Sequence, residues 1–206
     1  MLKIMKKILL FQLLVLSSIA CFAQALNFKT DIATAKTSYS SGKLEDAHFA
    51  LQQSMQEIDI IIGKEVLKLL PAKMDTLSVV SKDDNVTGNI SFVGATIHRS
   101  YGKGSKTAQV EIINNSPLLG TLNAFLTSPL LSGLGNNDGK TKVLKVQGYK
   151  SRLTKEEESE PGKNAYRLEI PFSNALVTFN INKSTESEVI AMANTIPFDQ
   201  IAKLIQ

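Results

Sequence analysis

Apolar residues recur every three or four positions from residue 44 to residue 69, which is the repeat of one face of an α-helix. This stripe comprises Leu44, Ala47 or His48, Leu51, Met55, Ile58, Ile62, Val66 and Leu69. A weaker helical pattern precedes it at residues 26–39, and Ser40-Ser41-Gly42 provides a stop because glycine tolerates the left-handed conformation. Pro71 ends the second helix. The pattern therefore predicts a helical hairpin over residues 26–71.

After Pro71 the pattern changes to the two-residue alternation of β-strands. Ser116 and Pro117 open a helix that Pro129 interrupts, and Thr185-Glu186-Ser187-Glu188 is a capping box that opens another. Pro197 breaks that last helix. Strands are predicted over residues 75–80, 89–101, 108–113, 140–153, 164–172 and 175–182, with a bend near Gly94.

This order of elements predicts an α+β fold, with an N-terminal helical hairpin packed on an antiparallel sheet that has additional helices. The predicted divisions are a leader at 1–25, the hairpin at 26–71 and the sheet domain at 72–206. A single hairpin cannot bury its own apolar stripe. We therefore expect Leu51, Met55, Ile58 and Ile62 to be buried against the rest of the chain.

The first 25 residues have the pattern of a secretory signal peptide. A basic segment with Lys3, Lys6 and Lys7 precedes an apolar segment at 8–19, and small residues allow cleavage after Ala23 or Ala25. The apolar segment is shorter than the roughly 20 residues that a membrane-spanning helix needs. The pattern predicts export to the periplasm or cell surface, with no transmembrane span.

Charge and cysteine content change once this leader is removed. Cleavage removes three lysines and no acid, so the formal net charge falls from +4 to +1, and a nucleic-acid partner loses its main support. The single cysteine, Cys21, also lies in the leader, which excludes disulfides and thiolate metal sites from a mature chain cleaved after it. The alternative is a lipoprotein box at Ser18-Ile19-Ala20-Cys21 with Cys21 lipidated, although Ser18 stands where leucine is usual.

The loops and the two histidines are the candidate positions for binding or catalysis. Residues 102–107, GKGSKT, resemble a phosphate loop but lack its first glycine and lie between two strands, so they predict a hairpin turn. His48 lies on the apolar stripe and His98 lies in a strand beside Arg99, without the paired spacing of zinc ligands. The residues predict no catalytic group, no metal site and no cofactor.

Residues 112–137 contain no charged side chain and are crowded with leucines. Two interpretations remain open: a core helix packed on the sheet, or a functional segment. The functional segment would be either a mobile apolar flap over a lipid-sized or peptide-sized pocket, or a docking patch. A basic strand with five cations follows and is either a lysine-protected edge strand or a surface for anionic headgroups. The candidate ligand or partner patch is Leu118, Leu119, Leu122, Phe125, Leu126, Leu130 and Leu131. The five cations are Lys140, Lys142, Lys145, Lys150 and Arg152.

Residues 35–54, AKTSYSSGKLEDAHFALQQS, resemble half of a tetratricopeptide repeat, although the Tyr39-to-Gly42 step is one residue short and no second copy follows. The segments IGKEVLKLLP, NNSPLLGTLNAFL and ANTIPFDQIAKLI resemble small uncharacterised exported bacterial proteins with a PsbP/Mog1-like α+β domain. The resemblance implies an α+β fold and assigns no functional residue.

Together these patterns predict a non-catalytic exported binding or envelope-accessory module that uses the apolar face around residues 118–134 and whose partner is an envelope protein. The alternative is a carrier that holds a small apolar or acyl ligand under residues 117–134. A hydrolase of unknown substrate ranks third.

Overall fold

The computed structural model describes residues 27–88, 94–128, 130, 139–157 and 164–205. The helices are α1 (27–40), α2 (Leu44–Leu69), α3 (Leu119–Thr127), α4 (Glu186–Ala193) and α5 (Phe198–Ala202). The strands are β1 (Lys73–Met74), β2 (Leu77–Ser78), β3 (Asn85–Thr87), β4 (Thr96–Lys103), β5 (Lys106–Asn114), β6 (Thr141–Val146), β7 (Tyr149–Glu157), β8 (Asn164–Phe172) and β9 (Ala175–Ile181).

Helices accompany an antiparallel sheet, so the predicted α+β class is confirmed. The chain forms two compact units, one ending at Ile58 and the other beginning at Asp59, and α2 runs through both. The predicted limits at residues 25 and 71 stay predictions. Within the described ranges, no helix combines the length and apolarity needed to cross a bilayer.

In the first unit, the predicted stop between α1 and α2 is confirmed. Gly42 has φ of 73°, the left-handed conformation that glycine adopts without a steric cost. The N–H of Gly42 donates to the carbonyl of Tyr39 at 3.1 Å, and the N–H of Lys43 donates to that of Ser38 at 2.9 Å. These bonds satisfy carbonyls at the end of α1, and the chain turns directly into α2.

The second unit is built on a seven-stranded sheet in the order β3-β4-β5-β9-β8-β7-β6, and all neighbouring strands are antiparallel. On the central strands β5 and β9, alternate residues are buried on one face, which we call the core face. The core face packs with the last turns of α2 and with α4 and α5. Its buried side chains include Val66, Ile97, Val110, Ile112, Leu168, Ile170, Val177, Phe179, Val189 and Phe198.

One predicted strand is two strands. Residues 140–153 form the hairpin β6–β7, in which Val146 pairs with Tyr149 across a two-residue turn. Gln147 and Gly148 have φ of 48° and 88°, the two positive values that a type I′ turn requires. The prediction of one continuous strand was therefore wrong. Gln-Gly is a weaker hairpin signal than Asn-Gly, which is why the sequence did not indicate the turn.

Two other element limits differ from prediction. Residues 75–80 contain only the end of a small hairpin, because β1 and β2 pair across a turn in which Asp75 has φ of 50°. The strand predicted at 89–101 is β4, which begins at Thr96, and residues 89–93 lie outside the described residues. The turn at 102–107 is confirmed by the pairing of Lys103 with Lys106.

The C-terminal end of α2 is held to β4 by a polar network. Arg99 donates to both carboxylate oxygens of Asp84 at 2.9 and 2.7 Å and to the carbonyl of Leu70 at 3.0 Å. The hydroxyl of Tyr101 donates to the carbonyl of Pro71 at 2.9 Å. Burial raises the pKa of Tyr101 to about 12. These bonds satisfy carbonyls that the end of a helix leaves without partners.

The predicted capping box at the start of α4 is confirmed. Thr185 Oγ1 accepts a hydrogen bond from the N–H of Glu188 at 3.3 Å, and Glu188 Oε2 accepts from the N–H of Thr185 at 3.0 Å. The backbone bond from Thr185, then the hydroxyl of Ser184 and the ammonium of Lys106, lower the pKa of Glu188 from 4.5 to about 2. The ionised carboxylate is thus the form that α4 requires.

We expect Glu188→Gln to remove an acid-sensitive part of the free energy of unfolding. Because the folded pKa of about 2 lies below the ordinary 4.5, this contribution is present above pH 4.5 and is lost as the pH falls towards 2. The side chain is 41% exposed, so solvent screening limits the effect to about 1 kcal/mol. Urea unfolding should show a variant deficit near neutral pH that shrinks near about pH 3. An equal deficit at both values would contradict the assignment.

Candidate functional site

The apolar segment after β5 forms α3 and begins two residues later than predicted. Ser116 Oγ accepts a hydrogen bond from the N–H of Leu118 at 3.3 Å, so Ser116 still satisfies a donor that precedes the helix. The helix begins at Leu119 and ends at Thr127. Ser128 is extended, as expected of a residue that precedes proline.

The predicted ligand or partner patch divides into buried and exposed residues. Leu122 and Leu126 are buried in a small cluster with Leu176 of β9, and Leu119 and Phe125 are half-buried against that cluster. In contrast, two of its leucines are largely exposed: 56% for Leu118 and 71% for Leu130. Leu131 lies outside the described residues. The structure thus brings four of the seven residues together on the sheet.

This helix lies on the face of the sheet opposite to the core face. Strand residues alternate between faces, and Leu176 lies between the core residues Ala175 and Val177. We call this face of the sheet the second face. One row of residues on it, paired from strand to strand, is entirely polar. From β4 to β7 the row runs His98, Glu111, Thr178, Glu169 and Arg152.

An ion pair beside α3 was not predicted from the sequence. Arg152 Nε and Nη2 donate to the two carboxylate oxygens of Glu169 at 2.7 and 2.8 Å, and Glu169 is 7% exposed. The guanidinium also lies 5.3 Å from the ring centroid of Phe125. The pair therefore supports the position of α3 through a cation–π contact. The signal available in the sequence was Glu169, the one acid in the otherwise largely apolar strand NAYRLEIPF. A single acid in such a strand indicates that a basic side chain pairs with it.

The two histidines lie in different surroundings. His98 Nε2 is 3.1 Å from the hydroxyl of Ser100, and His98 is paired in register with Glu111. His48 is exposed, although it lies on the apolar stripe of α2. In the described part of the chain, no group of three His, Cys, Asp or Glu side chains is placed to hold a metal ion.

The apolar stripe of α2 is exposed along the first unit, contrary to our expectation. We define the hairpin stripe as Leu44, Leu51, Met55 and Ile58, whose exposed fractions are 63%, 48%, 58% and 41%. The prediction that Leu51, Met55 and Ile58 are buried is therefore wrong. In the second unit, Ile62 is half-buried against the core. The prediction for Ile62 is therefore confirmed in part.

Small residues explain why the stripe is exposed. The buried positions of the hairpin are Ala35 in α1 and Ala47, Ala50 and Ser54 in α2. The three α2 positions are spaced by three and four residues and lie on one side of the helix, next to the stripe. The large apolar side chains of α2 predicted a buried stripe, whereas the hairpin buries small side chains that allow close approach of backbones.

No protein-family model matches this chain, and no curated protein sequence matches it. Among solved structures, it is similar to a protein from Bacteroides thetaiotaomicron VPI-5482 whose crystal structure was determined at 1.50 Å resolution, with 11% sequence identity and a TM-score of 0.32. The match covers 57% of this chain and 42% of that protein, so the chain spans less than half of its length. A similarity at this TM-score carries no argument about fold or function.

Proposed function

We propose that this chain is an exported, non-catalytic binding module of the bacterial envelope, and that it docks on a partner protein through the hairpin stripe. The observation that supports the proposal is the exposure of four large apolar side chains along one side of α2, each between 41% and 63%. Scattered apolar residues are normal on protein surfaces, whereas an aligned group is typical of an interaction surface.

The spacing of the stripe favours a helix as the contacting element of the partner. Leu44, Leu51, Met55 and Ile58 follow one another at steps of seven, four and three residues, the spacing of the seam between packed helices. Complete burial of such a side chain contributes about 1.5–3 kcal/mol before the costs of association are subtracted. An envelope protein with its own apolar helix seam is the partner that fits this surface.

We expect a photo-crosslinking residue at position 51 or 55 to capture the same envelope protein in cells, because both positions face the partner. The matched control is position 49. Phe49 is also in α2 and is 62% exposed, but it lies on another side of the helix. Equal capture from all three positions would contradict docking through the stripe.

The double substitution Leu51→Gln with Met55→Gln should abolish that capture without unfolding the chain. Each residue is about half exposed, so each substitution is expected to change the free energy of unfolding by about 0.5 kcal/mol or less. Phe49→Gln removes comparable apolar area and should leave capture intact. Circular dichroism and urea unfolding of the three proteins would separate a lost surface from a lost fold.

Export is tested by the N-terminus of the mature chain. If residues 1–25 are a signal peptide, intact-mass measurement of the protein recovered from cells should give a chain that begins at Gln24 or Leu26. A lipid-modified chain that begins at Cys21 would instead identify a membrane-anchored module. Recovery of the uncleaved chain from the cytoplasm would overturn the proposal of export.

A carrier of an apolar ligand is the second proposed function, supported by the placement of α3. Leu122 and Leu126 attach this helix to the sheet beside Leu176, in a cluster separate from the main core. A small attachment lowers the cost of lifting a helix to admit a ligand. Binding of a fluorescent fatty acid that Leu122→Asp or Phe125→Asp abolishes would favour the carrier, and failure of the intact chain to bind would exclude it.

A further inference from the structure

The helix α3 has an uncharged side that is exposed to solvent. The residues on that side are small or polar: Gly120, Thr121, Asn123, Ala124 and Thr127. No charged residue occurs in the sequence from 112 to 137, although 20% of the whole chain is charged. A helix at the surface of a protein ordinarily carries charged residues on its solvent side. The exposed side of α3 therefore costs less to remove from water than an ordinary helix surface.

An exposed leucine lies at each end of this helix. Leu118 directly precedes α3 and is 56% exposed, and Leu130 follows its last residue by three positions and is 71% exposed. A single exposed leucine is ordinary on a protein surface. Two leucines on either side of an uncharged helix surface together form a weakly polar area, which is typical of an interaction surface.

Two lysines lie near α3 on the second face of the sheet. Since side chains alternate along a strand, Lys150 lies on the same face as Arg152, about 7 Å away along β7. Lys145 of β6 is paired with Lys150 and shares this face. The guanidinium of Arg152 lies 5.3 Å from the ring centroid of Phe125 in α3. The two lysines are therefore close to the C-terminal half of the helix.

These two lysines have no partner of opposite charge among the described residues. Lys145 and Lys150 are exposed, and neither forms an ion pair with a described carboxylate. Glu156 of β7 and Glu169 of β8 lie on the same face, and each is held by an arginine. Like charges on directly paired residues repel, and an anionic surface relieves that repulsion. The lysine pair is thus an uncompensated positive charge beside α3.

We propose that this part of the second face docks on the surface of an anionic lipid membrane. Leu118 and Leu130 enter the boundary between headgroups and acyl chains, and Lys145 and Lys150 contact the lipid phosphates. Peripheral proteins bind membranes by these two contributions, apolar burial and attraction to anionic lipids. We call the four residues, together with the exposed side of α3, the α3 surface.

A lipid surface fits these residues better than a protein partner does. A fluid layer receives two leucines at separate positions, whereas a protein needs a fitted pocket for each of them. The α3 surface belongs to the second unit and the hairpin stripe belongs to the first, so this proposal does not depend on docking through the stripe. It uses the exposed side of α3, whereas a carrier would use the buried side.

The proposal is tested by cosedimentation of the chain, as recovered from cells, with two kinds of vesicle at low salt. One contains equal parts of phosphatidylglycerol and phosphatidylcholine, and the other contains phosphatidylcholine alone. We expect saturable binding that is about twentyfold tighter on the anionic vesicles, because each lysine near such a surface contributes about fivefold. Equal binding to the two kinds of vesicle, or no binding at millimolar lipid, would overturn the proposal.

A matched pair of lysine variants separates the α3 surface from general attraction to positive charge. Lys150→Gln should weaken binding to the anionic vesicles about fivefold. Lys155 is also exposed and also in β7, but it lies on the core face, so Lys155→Gln should leave binding unchanged. Equal weakening by the two substitutions would show nonspecific attraction and refute the surface.

A pair of double variants tests the apolar contribution. Leu118→Gln with Leu130→Gln should weaken binding to both kinds of vesicle about tenfold or more, since burial of leucine does not depend on lipid charge. Leu51→Gln with Met55→Gln, in the hairpin stripe, should leave vesicle binding intact. Circular dichroism checks that the variants are folded.

Two other results would contradict docking on lipid through the α3 surface. Loss of vesicle binding in the stripe variant alone would assign the membrane contact to the hairpin. A chain that binds no vesicles, but is crosslinked in cells to an acidic protein from residue 150, would show that a protein occupies the surface.

Discussion

Replacement of Arg99 by methionine should destabilise the protein by about 3 kcal/mol, the cost of leaving a buried charge without its partner. The side chains of Arg99 and Asp84 are 11% and 18% exposed, and two hydrogen bonds of 2.9 and 2.7 Å join them. The substitution also leaves the carbonyl of Leu70 without the donor that lies 3.0 Å away. Urea unfolding of the variant and the parent protein measures the difference.

A double substitution separates the ion pair from the rest of the network. Arg99→Met together with Asp84→Leu should cost less than Arg99→Met alone, because the second change removes the isolated carboxylate. Lys68→Met is the matched control: Lys68 pairs with Glu65 at 2.5 Å, but its side chain is 68% exposed, so its loss should cost less than about 1 kcal/mol. Similar costs for Arg99→Met and Lys68→Met would contradict the role assigned to burial.

Gly63→Ala should destabilise the protein by about 2 kcal/mol, although alanine is the better helix former. A methyl group at residue 63 would clash with Cγ1 of Val86 and lie 3.2 Å from Cγ1 of Ile97. Overpacking of a filled core costs about 1–3 kcal/mol. The gain in helix propensity is at most about 1 kcal/mol, so we expect the clash to prevail. Thermal or urea unfolding gives the sign and the size of the change.

The same substitution should have the opposite effect where space is available. In α3, a Cβ added at Gly120 would have no atom of the described residues within 4 Å, so Gly120→Ala should stabilise the protein by up to about 1 kcal/mol. Combining Val86→Ala with Gly63→Ala should restore the stability lost in Gly63→Ala, because alanine at residue 86 lacks the Cγ1 atom that clashes with the added methyl group. If Gly63→Ala stabilised the parent protein, close packing of α2 on β3 and β4 would be refuted.

The elements that were predicted correctly are those with strong local patterns. The alternation in β5, β8 and β9 placed these strands within two residues of their limits. The capping box at Thr185 located the start of α4, and Gly42 located the end of α1. Each of these depends on hydrogen bonds or side-chain faces within a few residues, which is the information that a single sequence contains.

The candidate site was predicted only in part, because its contacts join elements that are far apart in the sequence. The leucines of α3 were identified as a group, but which of them attach to Leu176 depends on the angle at which the helix meets the sheet. The turn at Gln147-Gly148 decides which lysines of the hairpin β6–β7 share a face of the sheet. A turn displaced by one residue would exchange the two faces of β7.

The sequence by itself therefore determined the class of the fold, most of its helices and strands, and the apolar character of α2 and α3. Only the tertiary structure decided which apolar faces are covered and which charges meet. Leu51 and Met55 are exposed because Ala47, Ala50 and Ser54 are the buried residues of α2 in the hairpin. Arg99 holds the end of α2 although 29 positions separate it from Leu70. Burial and pairing at such distances depend on the whole packing arrangement, and local periodicity does not contain it.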